Sequence, residues 1–183
     1  KATYFGLMTE IDEQLGRVFD YLKATNQYDS TLIVFTSDHG EQLGDHYLFG
    51  KLGYFDASYH IPLIIRDPKR QLQKVKTLEH FSESVDVMPT ILDWLGLEIP
   101  DQCDGRSLLP FLENEVPRNW REEVHSEFDF RWIGSYQPMI EERFGLLPDE
   151  CSLVIIRDDD YKYVHMTALP PLFFDLKLSL IHI

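Results

Sequence analysis

An aspartate and a histidine stand next to each other at the end of an apolar run. Asp38 and His39 follow residues 32–35, which are Leu, Ile, Val and Phe. Neighbours on a regular strand point to opposite faces, so the two side chains could share one ion only where the backbone turns, and Gly40 permits such a turn. A carboxylate oxygen and an imidazole nitrogen suit Mn, Zn or Fe. The pair is therefore a candidate metal site, although a capping aspartate beside a hydrogen-bonded histidine fits the same residues.

The elements around this pair predict an α/β fold. Apolar residues recur at three- and four-residue steps over 3–25, which predicts an amphipathic helix. A buried strand is expected over 31–35 and a second apolar strand over 61–65, with a glycine-dotted loop over 40–53 between them. A helix followed by a strand favours a mostly parallel sheet. The carboxyl ends of parallel strands form the crevice where such folds place their chemistry.

The second half of the chain predicts smaller elements. Helical spacing extends over 84–95 and stops at a glycine. Residues 123–128 are ambiguous and fit a strand, whereas 132–150 carries glycine, proline and charge without periodicity, which predicts a long loop. Two β-like runs, 153–156 and 161–165, flank a charged turn and predict a hairpin. This hairpin indicates a small antiparallel subdomain.

Composition limits the class of protein. With 183 residues, 44% of them hydrophobic, the chain can bury a substantial core. Its net charge of −14 repels polyanions, so no nucleic-acid partner is expected. No apolar run approaches the roughly 18 residues of a membrane helix, so no membrane partner is expected either. Cys103 and Cys151 form no Cys-x-x-Cys pair, which favours reduced thiols in a cytoplasmic protein.

A longer motif surrounds the Asp-His pair. Residues 36–46 read Thr-Ser-Asp-His-Gly-Glu-Gln-Leu-Gly-Asp-His, and 50–54 read Gly-Lys-Leu-Gly-Tyr. This pattern resembles the sulfatase branch of the alkaline phosphatase superfamily, and within it most resembles the phosphonate monoester hydrolases, which also cleave phosphodiesters. Further matches at 85–92, 104–110 and 170–176 extend the resemblance over nearly the whole chain.

The resemblance implies a fold and a division of the chain. It implies part of an alkaline-phosphatase-like α/β sandwich with a mostly parallel sheet, followed by the small antiparallel subdomain. Residues 1–130 would form the C-terminal part of the catalytic domain, and 131–177 the loop and the subdomain. The apolar ending 178–183 departs from the family and forms an atypical tail.

The same resemblance implies roles for particular side chains. Asp38 and His39 match the family's metal-ligand pair, and Lys51 matches a lysine that contacts the substrate anion. An ammonium on a flexible stem neutralises an oxyanion as a point charge. Tyr54 and His46 are weaker candidates for substrate binding, since packing explains both equally well. Glu41, also in the motif, would either orient the histidine or cap the following turn, and the sequence leaves both open.

The chain lacks the nucleophile that the resemblance implies. In the family this group is a formylglycine, made from the cysteine of an upstream Cys-x-Pro-x-Arg motif, and neither Cys103 nor Cys151 has that context. We therefore expect this chain to be the C-terminal portion of a longer hydrolase that binds a divalent metal, Mn or alternatively Zn, Fe or Ca. The piece alone is expected to be inactive.

Three functions remain open at this point. The first is hydrolysis of phosphonate monoesters or phosphodiesters, the second is a sulfatase, and the third is a non-catalytic truncated module. The two enzymatic functions imply a small anionic ester as substrate. The resemblance leaves a homo-oligomer open, since related hydrolases are commonly oligomeric.

Overall fold

A computed structural model describes residues 1–70, 77–129 and 137–178 of the chain. It divides into two compact units, Lys1–Thr77 and Leu78–Ile183. The domain boundaries expected at 130 and 177 stay predictions. The expected tail, apart from its first residue, lies outside the described residues. Within the described part, no helix combines the length and the hydropathy that crossing a membrane would need.

The first unit begins with a long helix and a short antiparallel pair of strands. Helix α1 spans Ala2–Ala24 and strand β1 spans Ile33–Thr36, both close to their predicted bounds. Strand β1 pairs antiparallel with a later strand of this unit, with Phe35 opposite Ile64. All strand pairings that the structure describes are antiparallel, so the expected parallel pairing has no counterpart among them.

The expectation of a buried first strand is wrong for this structure. Ile33 and Val34 are half-buried, while Phe35 and Thr36 are exposed. The reason is that β1 belongs to a two-stranded sheet, which covers little of either face. The helix is similarly open, since none of its residues is buried.

The predicted loop 40–53 contains regular structure. Strand β2 is Gln42–Leu43 and strand β3 is Phe49–Gly50, and the two pair as a small hairpin. Helix α2 follows at Asp56–Tyr59, and strand β4, Leu63–Arg66, returns to pair with β1. The chain therefore leaves the end of β1, makes the hairpin and comes back beside its starting point.

The second unit contains short helices and a four-stranded antiparallel sheet. Helix α3 spans Val87–Trp94 and helix α4 spans Leu109–Leu112. Strands β5, β6, β7 and β8 lie side by side in chain order, and the structure assigns them the following bounds: Val124–Asp129, Ser152–Arg157, Tyr161–Met166 and Leu172–Asp175. The predicted hairpin and antiparallel subdomain are thus present. Strand β5 matches the strand that 123–128 fitted, and β8 had no counterpart in the prediction.

One helix of the second unit corrects the expected long loop. Helix α5 occupies Gln137–Phe144, and Gly145, at φ 64°, follows its end. The loop expected over 132–150 is therefore interrupted by two helical turns, while 132–136 lies outside the described residues. Its sequence has only three large apolar side chains, at 139, 140 and 144, which are too few to show a clear period.

Buried residues of the second unit form its core. On one face of the sheet Leu153, Ile155 and Val164 are buried. Phe111 is buried elsewhere in the unit and meets the ring of Trp120 edge-to-face at 4.7 Å. This unit contains most of the buried apolar residues of the described chain.

Candidate active site

Asp38 and His39 lie in the turn that follows strand β1. The Ser37 hydroxyl donates a hydrogen bond to the His39 carbonyl oxygen at 2.7 Å, and the His39 backbone N–H donates to Asp38 Oδ1 at 3.0 Å. These two bonds turn the chain so that the side chains converge. The distance between His39 Nε2 and Asp38 Oδ2 is 3.5 Å.

The imidazole ring of His39 is held by its own neighbour. Its Nδ1 lies 2.8 Å from the Gly40 carbonyl oxygen, which can only accept a hydrogen bond. Nδ1 therefore carries a proton, and Nε2 is the ring nitrogen that faces the Asp38 carboxylate. A backbone carbonyl that fixes the tautomer in this way is typical of metal-ligating histidines.

Lys51 lies within electrostatic reach of the aspartate. Desolvation raises the pKa of Asp38, but His39, two backbone N–H groups and the Lys51 ammonium together hold that pKa below its ordinary value. Asp38 is open to solvent, with 82% of its side chain exposed, whereas His39 is 35% exposed. The structure thus brings a charged carboxylate, an oriented imidazole and an ammonium to one side of the first unit.

Gly40 fixes where this turn lies. Its N–H donates to the Ser58 carbonyl oxygen at 2.8 Å. A Cβ at position 40 would lie 2.0 Å from the Ala57 carbonyl oxygen, so only glycine fits here. The turn is therefore pressed against the backbone of helix α2, which positions both candidate ligands.

Comparison with known proteins identifies the family. The sulfatase family matches residues 1–97. A multifunctional alkaline phosphatase superfamily protein, PehA, from Trinickia caryophylli is 60% identical over 97% of this chain and 34% of its own length. The chain belongs to the sulfatase family.

Two further proteins are similar to this chain. The crystal structure of the phosphonate monoester hydrolase of Agrobacterium radiobacter superposes with a TM-score of 0.84 at 47% identity, covering 96% of this chain and 34% of that one. An N-acetylglucosamine-6-O-sulfatase from Bacteroides thetaiotaomicron is 34% identical over 88% of this chain and 27% of its own length. These matches confirm the predicted fold class and family. The chain spans about a third of the length of these relatives.

The two weaker candidates in this sulfatase-family chain meet at one phenylalanine. The ring of His46 lies flat on Phe55, with centroids 3.8 Å apart and planes 7° from parallel. The ring of Tyr54 contacts the same phenylalanine at 4.6 Å. These contacts explain both rings by packing, and a substrate contact by either one stays a prediction.

The cysteines have no feature of a nucleophile. Cys151 donates its S–H to the Leu147 carbonyl oxygen at 3.3 Å, and desolvation together with Glu150 and other acidic neighbours raises its pKa. A raised pKa keeps the thiol protonated and unreactive. Cys103 is a free, half-buried thiol.

Side chains of the hairpin and of helix α2 make hydrogen bonds that the sequence did not predict. Glu41 Oε1 accepts the Gly50 N–H at 2.6 Å, so the glutamate binds the far strand of the hairpin, and no His39 contact is needed to explain it. Gln42 is fully buried and Tyr59 donates its hydroxyl to the Gly53 carbonyl oxygen at 2.8 Å. The signal that could have revealed the hairpin is a five-residue, glycine-containing gap between Leu43 and Phe49.

Replacing Gly40 by alanine is expected to destabilise the protein by about 1–3 kcal/mol, because the new methyl group overlaps a backbone oxygen that cannot move freely. Urea unfolding measures the loss. Gly16→Ala is the matched control, since a Cβ there meets nothing within 4 Å and alanine favours a helix over glycine by about 1 kcal/mol. Equal stability of the Gly40→Ala variant and the wild type would contradict the close approach.

Proposed function

We propose that this chain supplies the metal-ligand pair and the substrate-neutralising lysine of a hydrolase that cleaves phosphonate monoesters or phosphodiesters. The observation that carries the proposal is the convergence of His39 Nε2 and Asp38 Oδ2, 3.5 Å apart, within electrostatic reach of Lys51. Hydrolysis of such an ester needs positive charge on its non-bridging oxygens and a polarised ester oxygen. The three side chains are of the types that supply both.

The donor set fits a divalent metal. A carboxylate oxygen and the Nε2 of an imidazole suit Mn, with Zn or Fe as alternatives. Ca, the remaining alternative, takes oxygen ligands and would use only the carboxylate of this pair. Within the described residues no group of three or more His, Cys, Asp or Glu side chains could hold a metal ion, so Asp38 and His39 would be two ligands of a larger set. When bound, the metal would polarise the ester and lower the pKa of the attacking oxygen.

The attacking group is proposed to be a formylglycine supplied by the protein outside this chain. Neither cysteine of this chain lies in a Cys-x-Pro-x-Arg context, and the Cys151 thiol is protonated. The 183-residue chain alone is therefore expected to turn over no ester. This chain's part is to hold the metal and to bind the anion.

The proposed substrate is a small anionic ester. The protein's net charge of −14 opposes anions in general, and the ammonium of Lys51 together with the metal would reverse the field locally. The relative at 47% identity, a phosphonate monoester hydrolase, favours phosphonate monoesters. A sulfatase is the second candidate, favoured by the sulfatase relative at 34% identity.

Replacing Lys51 by alanine tests the proposal. In the full-length gene product we expect kcat/KM for a p-nitrophenyl phenylphosphonate ester to fall about 10²-fold, the cost of removing one preorganised charge contact to a transferring oxyanion. Lys23→Ala is the matched control, because Lys23 is an exposed lysine in the last turn of α1 and should leave kcat/KM unchanged.

The substrate series separates the two candidate functions. The wild-type protein is assayed with Mn²⁺ on the phosphonate ester, on bis-p-nitrophenyl phosphate and on p-nitrophenyl sulfate. Faster turnover of the first two supports the proposal, whereas faster turnover of the sulfate identifies a sulfatase. No metal-dependent turnover of any of the three would overturn both.

A further inference from the structure

The buried side chain of Gln42 contacts the loop that carries Lys51. Its Nε2 donates to the Leu52 carbonyl oxygen at 2.7 Å and to Ser58 Oγ at 2.9 Å. Gln42 is 0% exposed, and its Oε1 is buried without a hydrogen-bond partner among the residues that the structure describes. Leaving such an acceptor unpaired costs free energy of folding. An apolar residue would avoid this cost. The two hydrogen bonds donated by the Gln42 amide offset it.

The preceding residue, Glu41, contacts the backbone on the other side of Lys51. Glu41 Oε1 accepts the Gly50 N–H at 2.6 Å, the short distance expected for a hydrogen bond to a charged acceptor. Gly50 has φ 80°, a conformation that glycine adopts without strain. The glutamate therefore holds the residue before Lys51, as the glutamine holds the residue after it.

The two contacts restrain the lysine's backbone from both sides. Glu41 and Gln42 come directly after the turn that carries the metal-ligand pair, and Gly40, the last residue of that turn, is fixed against helix α2. A fixed turn that binds both neighbours of Lys51 restrains the backbone from which the lysine side chain extends. Positioning of this kind matters because a displacement of about 1 Å can cost 10²-fold in rate.

We propose that Glu41 and Gln42 are positioning residues that set the location of the Lys51 ammonium relative to Asp38 and His39. Neither side chain needs to touch the substrate. The proposal rests on the proposed function, since it assigns these residues a part in the anion site. It adds that the rate effect of either residue is transmitted through Lys51.

A double-mutant cycle in the full-length gene product tests this transmission. Gln42→Met removes the amide donor at nearly constant volume and is expected to lower kcat/KM on the order of 10-fold to 100-fold. In the Lys51→Ala background the same change should lower kcat/KM by less than about twofold, because interacting residues are not additive. Equal effects in both backgrounds would overturn the proposal.

Glu41 gives an independent test in case the buried substitution prevents folding. Glu41→Gln keeps an acceptor for the Gly50 N–H and should retain most of the activity, whereas Glu41→Ala should lose on the order of 10-fold. Gln102→Met, at an exposed position, is the control for the methionine substitution. Equal activity of Glu41→Gln and Glu41→Ala would contradict a role for this hydrogen bond.

Hydrogen exchange measured by mass spectrometry tests the contacts of Gln42 with the Lys51 loop in the absence of substrate. In Gln42→Met, amides of 49–54 should exchange faster, while those of helix α3 keep the wild-type rate. Unchanged exchange over 49–54 would overturn the positioning role. If the wild type hydrolyses no ester, the proposed function fails. Faster exchange over 49–54 in Gln42→Met would still show that the Gln42 hydrogen bonds hold the Lys51 loop.

Discussion

Replacing Asp38 by asparagine is expected to lower kcat/KM of the full-length gene product by about 10³-fold, since a Lewis-acid metal contributes several kcal/mol to stabilising the charge of the transition state. The amide oxygen of asparagine can still accept the His39 N–H, the bond that closes the turn at 3.0 Å. The turn should therefore persist while the negative donor is lost. Steady-state kinetics with Mn²⁺ measure the change.

Metal affinity provides the second measurement of this substitution. Calorimetric titration with Mn²⁺ should show markedly weaker binding in Asp38→Asn, because the neutral amide is a poorer ligand than the carboxylate. Asp45→Asn is the matched control: its carboxylate is 60% exposed and lies 3.9 Å from the Lys1 ammonium. Such an exposed pair contributes about 0–1 kcal/mol, so both affinity and rate should stay at the wild-type level.

The two measurements together identify the role of Asp38. Weak metal binding with a lowered rate is the expected result. Normal Mn²⁺ affinity with a lowered rate would mean that the carboxylate acts otherwise than as a ligand. Normal values of both would show that the pair formed by Asp38 and His39 is a capping aspartate beside a hydrogen-bonded histidine, the alternative that their sequence also fits.

The elements that sequence predicted well depend on local patterns. Helix α1 was expected over 3–25 and spans Ala2–Ala24, because the apolar repeat of a long helix is visible over several turns. Helix α3, expected over 84–95, spans Val87–Trp94 after a short 3₁₀ turn at Ser84–Asp86. The turn carrying Asp38 and His39 was located by an apolar run followed by a glycine.

The features that the sequence did not predict depend mainly on contacts between residues far apart in the chain. Strand β1 has the composition of a buried strand, but its exposure depends on which strands pair with it, and the described chain gives it one partner. Helix α5 is not predicted because its eight residues include only three large apolar side chains, whereas α3, of the same length, includes five. The hydrogen bonds of Glu41 and Gln42 to the Lys51 loop are also not predicted. They join residues nine and ten positions apart, and no local sequence pattern indicates such contacts.

A buried ion cluster in the second unit should have a large effect on stability. The guanidinium of Arg121 donates from both terminal nitrogens to Asp86, with Nη2 2.7 Å from Oδ1, and Nη1 lies 3.1 Å from Glu83 Oε2. The side chain of Asp86 is 0% exposed and also accepts the backbone N–H of Glu83 and of Arg106, each at 2.8 Å. The cluster thus joins the start of helix α3 to two later segments of the chain.

Replacing Arg121 by methionine is expected to destabilise the protein by about 3–5 kcal/mol, because it leaves the Asp86 carboxylate buried without its cation. The urea midpoint, compared at constant m-value, measures the loss. Arg118→Met is the control, since Arg118 is exposed and a surface substitution usually changes stability by less than about 0.5 kcal/mol. A midpoint of Arg121→Met equal to that of the control would contradict the importance of the cluster.

The partner substitution tells a charge effect from simple loss of packing. Asp86→Asn alone leaves Arg121 paired with Glu83 and keeps one acceptor for a backbone N–H. If the charges are coupled, Asp86→Asn combined with Arg121→Met should cost less than the sum of the two single changes, by about 1 kcal/mol or more. The penalty of the arginine variant comes from an uncompensated charge, and neutralising that charge removes it. Additive costs would instead mean that Arg121 stabilises the fold through its contact with Trp120, whose ring centroid lies 5.2 Å away.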